Sequence, residues 1–183
     1  MRSALALLFC LLLAAKAGAE ARISEFRITL DSNQLLASLA VQGAFNHRFV
    51  ERLESGLPTS ILYRFELEPD HRHFWERHGR SITAEVTARY DAESRVYTVH
   101  FRLDDKLIES RTVRDLKTLE AAMTRLERLP VFGLGAREDG KDLRLKARAE
   151  LGFRTLISFI PVAITTDWVD SGPFRPNVPS TRP

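Results

Sequence analysis

Four runs of this chain alternate apolar and polar side chains with a two-residue period. They are residues 61–67, 82–90, 97–103 and 143–151. A strand that buries one face places every second side chain in the core, so each run predicts a half-buried strand. Strands of a parallel sheet, buried on both faces, would read as continuous apolar runs. The alternation therefore predicts an antiparallel sheet.

Turn residues predict how some of these strands are connected. Polar segments at residues 31–34, 91–94 and 104–106 each separate two stretches of alternating residues. Such segments are typical of hairpins, because Asp, Asn and Ser form turns through local hydrogen bonds. The third segment leads into a further predicted strand at residues 107–112.

Two stretches replace the alternation with apolar residues at helical spacing. Asn46 is a suitable N-cap for a short helix that stops at Gly56. Apolar residues recur at three- and four-residue steps over Leu116–Leu129, and Pro130 predicts the end of this second helix. We therefore expect an α+β fold, in which a curved antiparallel sheet of about seven strands packs on two helices.

The predicted sheet has a larger apolar face than two short helices readily cover. The sheet could curl tightly around the helices, or the apolar C-terminal stretch could cover part of the face. A third arrangement leaves part of the face open as a pocket or a docking groove. The sequence does not choose among these three arrangements.

The first 19 residues have the organisation of a secretion signal. Arg2 gives a positive start, Ala4–Ala15 is an uncharged apolar run, and Ala17-Gly18-Ala19 offers the small residues that signal peptidase reads. The run is shorter than the roughly 20 residues of a membrane span, and an uncleaved amphipathic anchor is the alternative. We expect a periplasmic or secreted protein. Its predicted parts are a signal peptide, a single α+β domain and a flexible Pro-rich tail, over residues 1–19, 20–170 and 171–183.

Removal of this signal changes the charge and the cysteine content of the chain. The full sequence has 27 Lys plus Arg and 24 Asp plus Glu, a net charge of +3. Loss of Arg2 and Lys16 leaves 25 − 24 = +1, which gives little support to nucleic-acid binding. Cys10 is the sole cysteine and leaves with the signal, which excludes disulfides, thiolate catalysis and cysteine-based metal sites.

Sequence motifs for catalysis or for cofactor binding are missing. No serine lies in a Gly-x-Ser-x-Gly elbow, and Gly133-Leu134-Gly135 does not complete a phosphate-binding pattern. We therefore expect no catalytic residue, no cofactor and no resident metal.

The densest polar cluster of the sequence covers residues 70–78. Its histidines and its tryptophan form a possible polar loop site, made of His71, His73, Trp75 and His78. A divalent metal site is conceivable there, but the spacing matches no zinc pattern and Arg72 and Arg77 would repel a cation. We favour a solvated hairpin loop with Trp75 against the sheet.

A basic stripe follows one face of the predicted strand at residues 143–151. Arg144, Lys146 and Arg148 alternate along it and could meet anionic lipid headgroups or glycans. Acidic residues occupy the same faces of other predicted strands, among them Glu66 and Glu68. We expect ordinary cross-strand ion pairs instead.

The most apolar stretch of the predicted domain is Leu156–Ile164, which is too short to span a bilayer. We expect it to cover the open side of the sheet. It is also the best candidate for a partner or ligand surface. The residues of that candidate surface are Phe153, Leu156, Ile157, Phe159, Ile160 and Trp168.

Several short motifs resemble a bacterial envelope family, the domain of unknown function 4390. They are Gly56-Leu57-Pro58, Phe74-Trp75-Glu76, Tyr90 and Tyr97 around a hairpin, the Leu-rich helix at Leu116–Leu129, and Asp167-Trp168-Val169-Asp170-Ser171. The resemblance implies an exported protein without assigned chemistry, so it carries over no catalytic residue. It also implies an envelope signalling partner, because members of the family are often encoded near a membrane sensor kinase.

The sequence favours a non-catalytic binding or accessory module for a protein or membrane-associated partner in the envelope. A carrier that holds a small apolar or lipid ligand between sheet and helices is the alternative. A hydrolase without a recognisable motif is the third hypothesis. The identity of any partner and the oligomeric state lie beyond a single sequence.

Overall fold

Ten strands and two helices make up the part of the chain that the structure, a computed structural model, describes. That part is residues 21–70, 79–156 and 160–177, with the backbone alone at 153–156 and 160–163. In chain order the elements are β1 Arg22–Asp31, β2 Gln34–Gln42, α1 His47–Glu54, β3 Thr59–Pro69, β4 Arg80–Asp91, β5 Val96–Leu103, β6 Lys106–Val113, α2 Leu116–Thr124, β7 Arg125–Gly133, β8 Leu143–Leu156, β9 Ile160–Thr165 and β10 Val169–Phe174.

Seven of these strands form one antiparallel sheet in the order β10-β8-β3-β4-β5-β6, with β9 paired to β8 outside this path. All four alternating runs lie in it, as β3, β4, β5 and β8. Consecutive strands from β3 to β6 are hairpin neighbours, which explains why short polar segments suffice to connect β4 to β5 and β5 to β6. The predicted α+β fold with a seven-stranded antiparallel sheet is confirmed.

The first hairpin lies in a separate sheet. β1 and β2 pair with each other across the turn at Ser32 and Asn33, as the polar segment predicts. β2 then pairs with β7, so the second sheet has the order β1-β2-β7. This three-stranded sheet was not expected as a layer of its own, because alternation predicts a strand but not its neighbour.

The apolar face of the large sheet is filled. Ile61, Tyr63 and Phe65 of β3 are fully buried, and they belong to one continuous core cluster with Leu35 of β2 and Leu119 of α2. The cluster also contains apolar residues of α1, β7 and β8. Over the part of the chain that it describes, the structure shows none of the three arrangements that the sequence leaves open. Instead, the three-stranded sheet, together with both helices, covers the face.

The first helix forms as predicted. The side-chain oxygen of Asn46 accepts a hydrogen bond from the Phe49 backbone nitrogen at 3.1 Å, which satisfies one of the free N–H groups of the first turn. Phe49 and Leu53 are buried, so this short helix is held by its apolar face. Gly56 follows the helix with a φ of +77°, a conformation that suits glycine.

The second helix is shorter than predicted, because Leu126 and Leu129 belong to β7. Leu126 pairs with Leu39 and Leu129 pairs with Ala37, so β7 advances three residues while β2 advances two. This β-bulge produces a three-residue step between buried leucines, which looks helical in the sequence. Pro130 therefore lies inside a strand and does not end a helix.

The predicted flexible tail over 171–183 is wrong in its first part. Residues 171–174 belong to β10, which pairs with β8. Arg175 then forms two side-chain hydrogen bonds to the carboxylate of Asp142, at 2.8 and 2.7 Å. Proline and glycine in this stretch therefore mark an edge strand with a register shift, where both are tolerated. Residues 178–183 lie outside the described part of the chain.

Candidate functional site

A short linker between β9 and β10 is tied to β8 through Thr166. The Thr166 backbone nitrogen donates to the Ala149 carbonyl at 2.9 Å. The hydroxyl of Thr166 accepts a hydrogen bond from the Ala149 backbone nitrogen at 3.0 Å and donates to the Asp167 carbonyl at 3.0 Å. Thr166 is buried, so these bonds fix the path of the linker beside β8. The next residues, Asp167 and Trp168, are thereby placed at the edge of the sheet.

Trp168 stacks on the β8 arginine beside it. The guanidinium carbon of Arg148 lies 4.8 Å from the centre of the Trp168 ring, a distance at which a cation and an aromatic face attract each other. Trp168 is nevertheless 38% exposed. An aromatic residue that is held in place and still open to solvent offers apolar contact area at little conformational cost.

Asp170 and Ser171 fasten the following strand to β8. Asp170 accepts a hydrogen bond from Arg144 at 3.0 Å, and the hydroxyl of Ser171 accepts one from the Leu145 backbone nitrogen at 3.0 Å. Hydrogen bonds to Asp170 and then to Asp70 raise the pKa of Arg144 above its ordinary value. The segment Asp167–Ser171, one of the short motifs of the sequence, is thus held against β8 by hydrogen bonds, and it places Trp168 beside that strand.

Two arginines face each other beside Trp168. Arg148 pairs directly with Arg64 of β3 in the ladder, and both guanidinium groups reach the same carboxylate oxygen of Glu150, at 3.2 and 3.4 Å. The Nε atoms of both arginines are buried and have no hydrogen-bond partner within the described part of the chain. Among the described residues, Glu150 is the carboxylate that both guanidinium groups share, and the two Nε atoms leave donor capacity unused. We call Trp168, Arg148, Arg64 and Glu150 the Trp168 surface.

The rest of the predicted basic stripe is neutralised. Lys146 forms an ion pair with Glu68 at 2.7 Å, and Arg144 forms one with Asp70 at 2.6 Å. The expected cross-strand ion pairing is therefore confirmed. Since Asp70 is engaged by Arg144, this member of the polar cluster at residues 70–78 has a structural role.

A groove opens next to the Trp168 surface, between the edges of the two sheets. It has a volume of about 640 Å³ and is lined by both polar and apolar residues. Asp167 and Val169, which flank Trp168 in sequence, line one side of it, while Arg22 and Gln42 of the small sheet line the other. Arg22 donates to the Gln42 side chain at 3.2 and 3.0 Å, so this wall is built from a fixed polar pair.

The structure places the predicted surface residues in different ways. Trp168 lies on the Trp168 surface, whereas the backbone of Phe153, Leu156 and Ile160 lies in β8 and β9. β9 pairs with β8, so the stretch expected to cover the open sheet face instead extends the sheet. Ile157 and Phe159 lie outside the described residues, as do four members of the polar loop: His71, His73, Trp75 and His78.

Sequence reasoning predicted a strand at residues 107–112, which is β6, but not its place at an edge of the sheet. It pairs only with β5 among the described strands, and every residue of it except Val113 is exposed. Leu107 and Ile108 are 57% and 52% exposed. A run that mixes charged and apolar residues without clear alternation was the available signal, since it is typical of a strand with neither face in the core.

Across residues 21–70, 79–156 and 160–177, no group of three or more His, Cys, Asp or Glu side chains is arranged to hold a metal ion. Within the same described part, no helix has the length and apolarity to cross a bilayer.

The fold and this surface define an α+β protein of two antiparallel sheets, with an aromatic–arginine surface beside the junction of the sheets. The chain belongs to the family described as domain of unknown function 4390, whose sequence profile matches residues 18–168. The suspected resemblance is thus confirmed. No curated protein and no solved structure matches the chain.

Proposed function

We propose that this chain is an exported envelope protein that acts as a non-catalytic binding module for a protein partner. The observation that carries the proposal is the Trp168 surface. Trp168 is exposed, yet it is held over Arg148 by a linker that Thr166 bonds to β8. Tryptophan and arginine are the residue types that most often dominate the energy of protein interfaces.

The charge of the surface indicates the chemistry of the partner. Among residues 21–70, 79–156 and 160–177, Arg64 and Arg148 share the carboxylate of Glu150, and their Nε donors are unpaired. Directly opposed like charges destabilise a sheet pair, and an unpaired buried donor adds to that cost. An acidic group on the partner would offset the opposition of the two guanidinium groups. We therefore expect the partner to bring an Asp or Glu side chain beside an apolar contact for Trp168.

The groove supports the same assignment. It continues from Asp167 and Val169, the two sequence neighbours of Trp168, to the Arg22–Gln42 wall, so a second surface of mixed polarity lies near Trp168. Protein interfaces combine an apolar centre with a polar rim in this way. The filled core of the large sheet, in which Tyr63 and Phe65 are fully buried, favours a binding surface over a carrier with an interior ligand pocket.

Photocrosslinking in cells tests the proposal. A photoreactive residue in place of Trp168 should capture a discrete protein partner, and the capture should fall strongly in the Arg148→Glu variant. Leu57 is the matched control position, because it is an exposed apolar residue in the loop before β3. Leu57 precedes β3, whose first residue is five positions before Arg64. Leu57 and Arg64 are therefore separated by roughly 17 Å or more. Capture that is equal at both positions, or unchanged by Arg148→Glu, would contradict the proposal.

A further inference from the structure

The edge strand β6 carries its charges in a self-complementary order. Its central residues are Glu109, Ser110 and Arg111, and the Glu109 carboxylate pairs with Arg111 of the same strand at 3.2 Å. We propose that β6 pairs antiparallel with β6 of a second copy of this chain, around a two-fold axis through Ser110. This surface is separate from the Trp168 surface, so either proposal can fail without the other.

Symmetry limits the possible registers. A two-fold axis perpendicular to a continuous sheet keeps each residue on its own face, so the axis must pass through a residue that pairs with its own copy. An axis at Glu109 would oppose two carboxylates, and an axis at Arg111 would oppose two guanidiniums. Like charges directly opposite each other are unfavourable. An axis at Ser110 instead opposes Glu109 of each copy to Arg111 of the other.

The same register uses the exposed apolar residues. Leu107 and Ile108 precede the charged centre, and Thr112 and Val113 follow it, so an axis at Ser110 brings the apolar start of one strand beside the end of the other. An axis at Ile108 avoids like-charge pairs but leaves residues 111–113 without a partner. Within the regular ladder at residues 109–113, the register at Ser110 therefore pairs Glu109 with Arg111 and opposes no like charges.

Two features explain why this pairing is selective. Charged residues on an edge strand normally discourage association with other strands. In β6 the charges disfavour pairing with any strand except one whose charges run in the reverse order. A second, antiparallel copy of β6 has that order. A register shift between β5 and β6 at Ile108 limits the regular ladder to residues 109–113. The interface is therefore short, and we expect a weak dimer whose population rises with protein concentration.

A single cysteine tests the position of the axis. Opposite residues in an antiparallel ladder have Cα atoms about 4.5 to 5.5 Å apart, within the range that a disulfide bridges. Ser110→Cys, in a chain whose sole native cysteine carries Cys10→Ser, should give a covalent dimer on mild oxidation. Ser94→Cys in the β4–β5 turn is the exposed control and should give no covalent dimer. Equal crosslinking of the two variants would overturn the proposal.

Charge reversal tests the register. Glu109→Arg opposes two arginines across the axis twice, and Arg111→Glu opposes two glutamates twice, so each variant alone should dimerise about tenfold less tightly than the parent chain. An equimolar mixture of the two variants restores both opposite-charge pairs and should form a heterodimer. Sedimentation equilibrium measures the association, and thermal unfolding checks that each variant is folded.

Three results of the charge-reversal experiment would contradict the pairing of β6 with a second copy. They are a parent chain that stays monomeric at every concentration, single variants that associate as tightly as the parent, and a mixture that fails to recover the association. Protection of β6 backbone amides from exchange only in the presence of another envelope protein would also overturn the proposal and assign the edge to that protein.

Discussion

The hydroxyl of Tyr63 donates a hydrogen bond of 2.6 Å to the carbonyl oxygen of Met123. Tyr63 lies in β3, an interior strand of the large sheet, and Met123 lies in the last turn of α2. The last carbonyls of a helix have no partner within the helix. Both residues are fully buried, so this bond joins the centre of the sheet to the end of the helix where no water replaces it.

Substitution of Tyr63 by phenylalanine should destabilise the protein markedly. The change keeps the ring but leaves the Met123 carbonyl buried without a partner, which costs about 1–3 kcal/mol. Urea unfolding followed by circular dichroism measures this loss. Tyr90→Phe is the matched control, since the described structure gives the Tyr90 hydroxyl no partner, and its effect should stay within about 0.5 kcal/mol. Similar losses in the two variants would show that the Tyr63–Met123 bond does not stabilise the fold.

The same hydroxyl should make stability fall at alkaline pH. Burial raises the pKa of Tyr63 far above its ordinary value, so the folded protein keeps the proton while the unfolded chain loses it above about pH 10. The unfolded state is then favoured, and the stabilising contribution, complete below pH 10, is lost as pH rises. Burial, and then Glu54, also raises the pKa of Tyr97, so the informative quantity is a difference.

That difference is the slope of unfolding free energy against alkaline pH for the parent chain minus the same slope for Tyr63→Phe. The variant lacks the hydroxyl and should therefore lose less unfolding free energy between about pH 9 and about pH 11. Parallel curves for the two proteins would mean that the Tyr63 hydroxyl does not titrate with unfolding.

The cap of α2 should give an acid-dependent contribution to stability. Asp115 accepts a hydrogen bond from the Thr118 backbone nitrogen at 2.8 Å, and this bond is the main cause of the lowered pKa of the Asp115 carboxyl. A lowered folded pKa stabilises the protein above the unfolded pKa near 4, and the contribution is lost as pH falls further. Asp115→Asn still caps the helix but does not titrate.

The two caps can be compared by thermal unfolding. Asp115→Asn should reduce the drop in melting temperature between about pH 6 and about pH 3, whereas both proteins should melt similarly near the acid end. Asn46→Asp provides the converse control, because it introduces a titrating cap at α1, where Asn46 accepts from Phe49. An acid dependence that Asp115→Asn leaves unchanged would contradict the assigned cause.

Strand identity could be predicted from the sequence, but strand partners and bulges could not. The alternation in residues 61–67 predicts β3 because burial of one face imposes a two-residue period. In β7 a bulge puts Leu126 and Leu129 three positions apart, so the same kind of burial produces a helical spacing. Local periodicity does not contain the long-range pairing with β2 that separates these interpretations.

The candidate site, too, could be predicted only in part. The basic stripe of Arg144, Lys146 and Arg148 and its ion pairing were predictable, since alternation places charges on one face. The direct opposition of Arg64 and Arg148 depends on the register of β3 against β8, which the sequence does not specify. Trp168 could be named as a surface residue, but its place over Arg148 depends on the hydrogen bonds of Thr166.

The proposed export leads to a prediction about the start of the mature chain. Signal peptidase requires small residues at Ala17 and Ala19, so the exported protein should begin at Glu20. Ala19→Phe should block cleavage and leave a precursor heavier by the 19-residue signal, while Ala14→Leu, inside the apolar run, should be processed normally. Intact-protein mass spectrometry of the envelope fraction distinguishes the two products. Cleaved Ala19→Phe protein, or parent protein that retains Arg2 and Cys10, would contradict the predicted signal peptide and with it the proposed export.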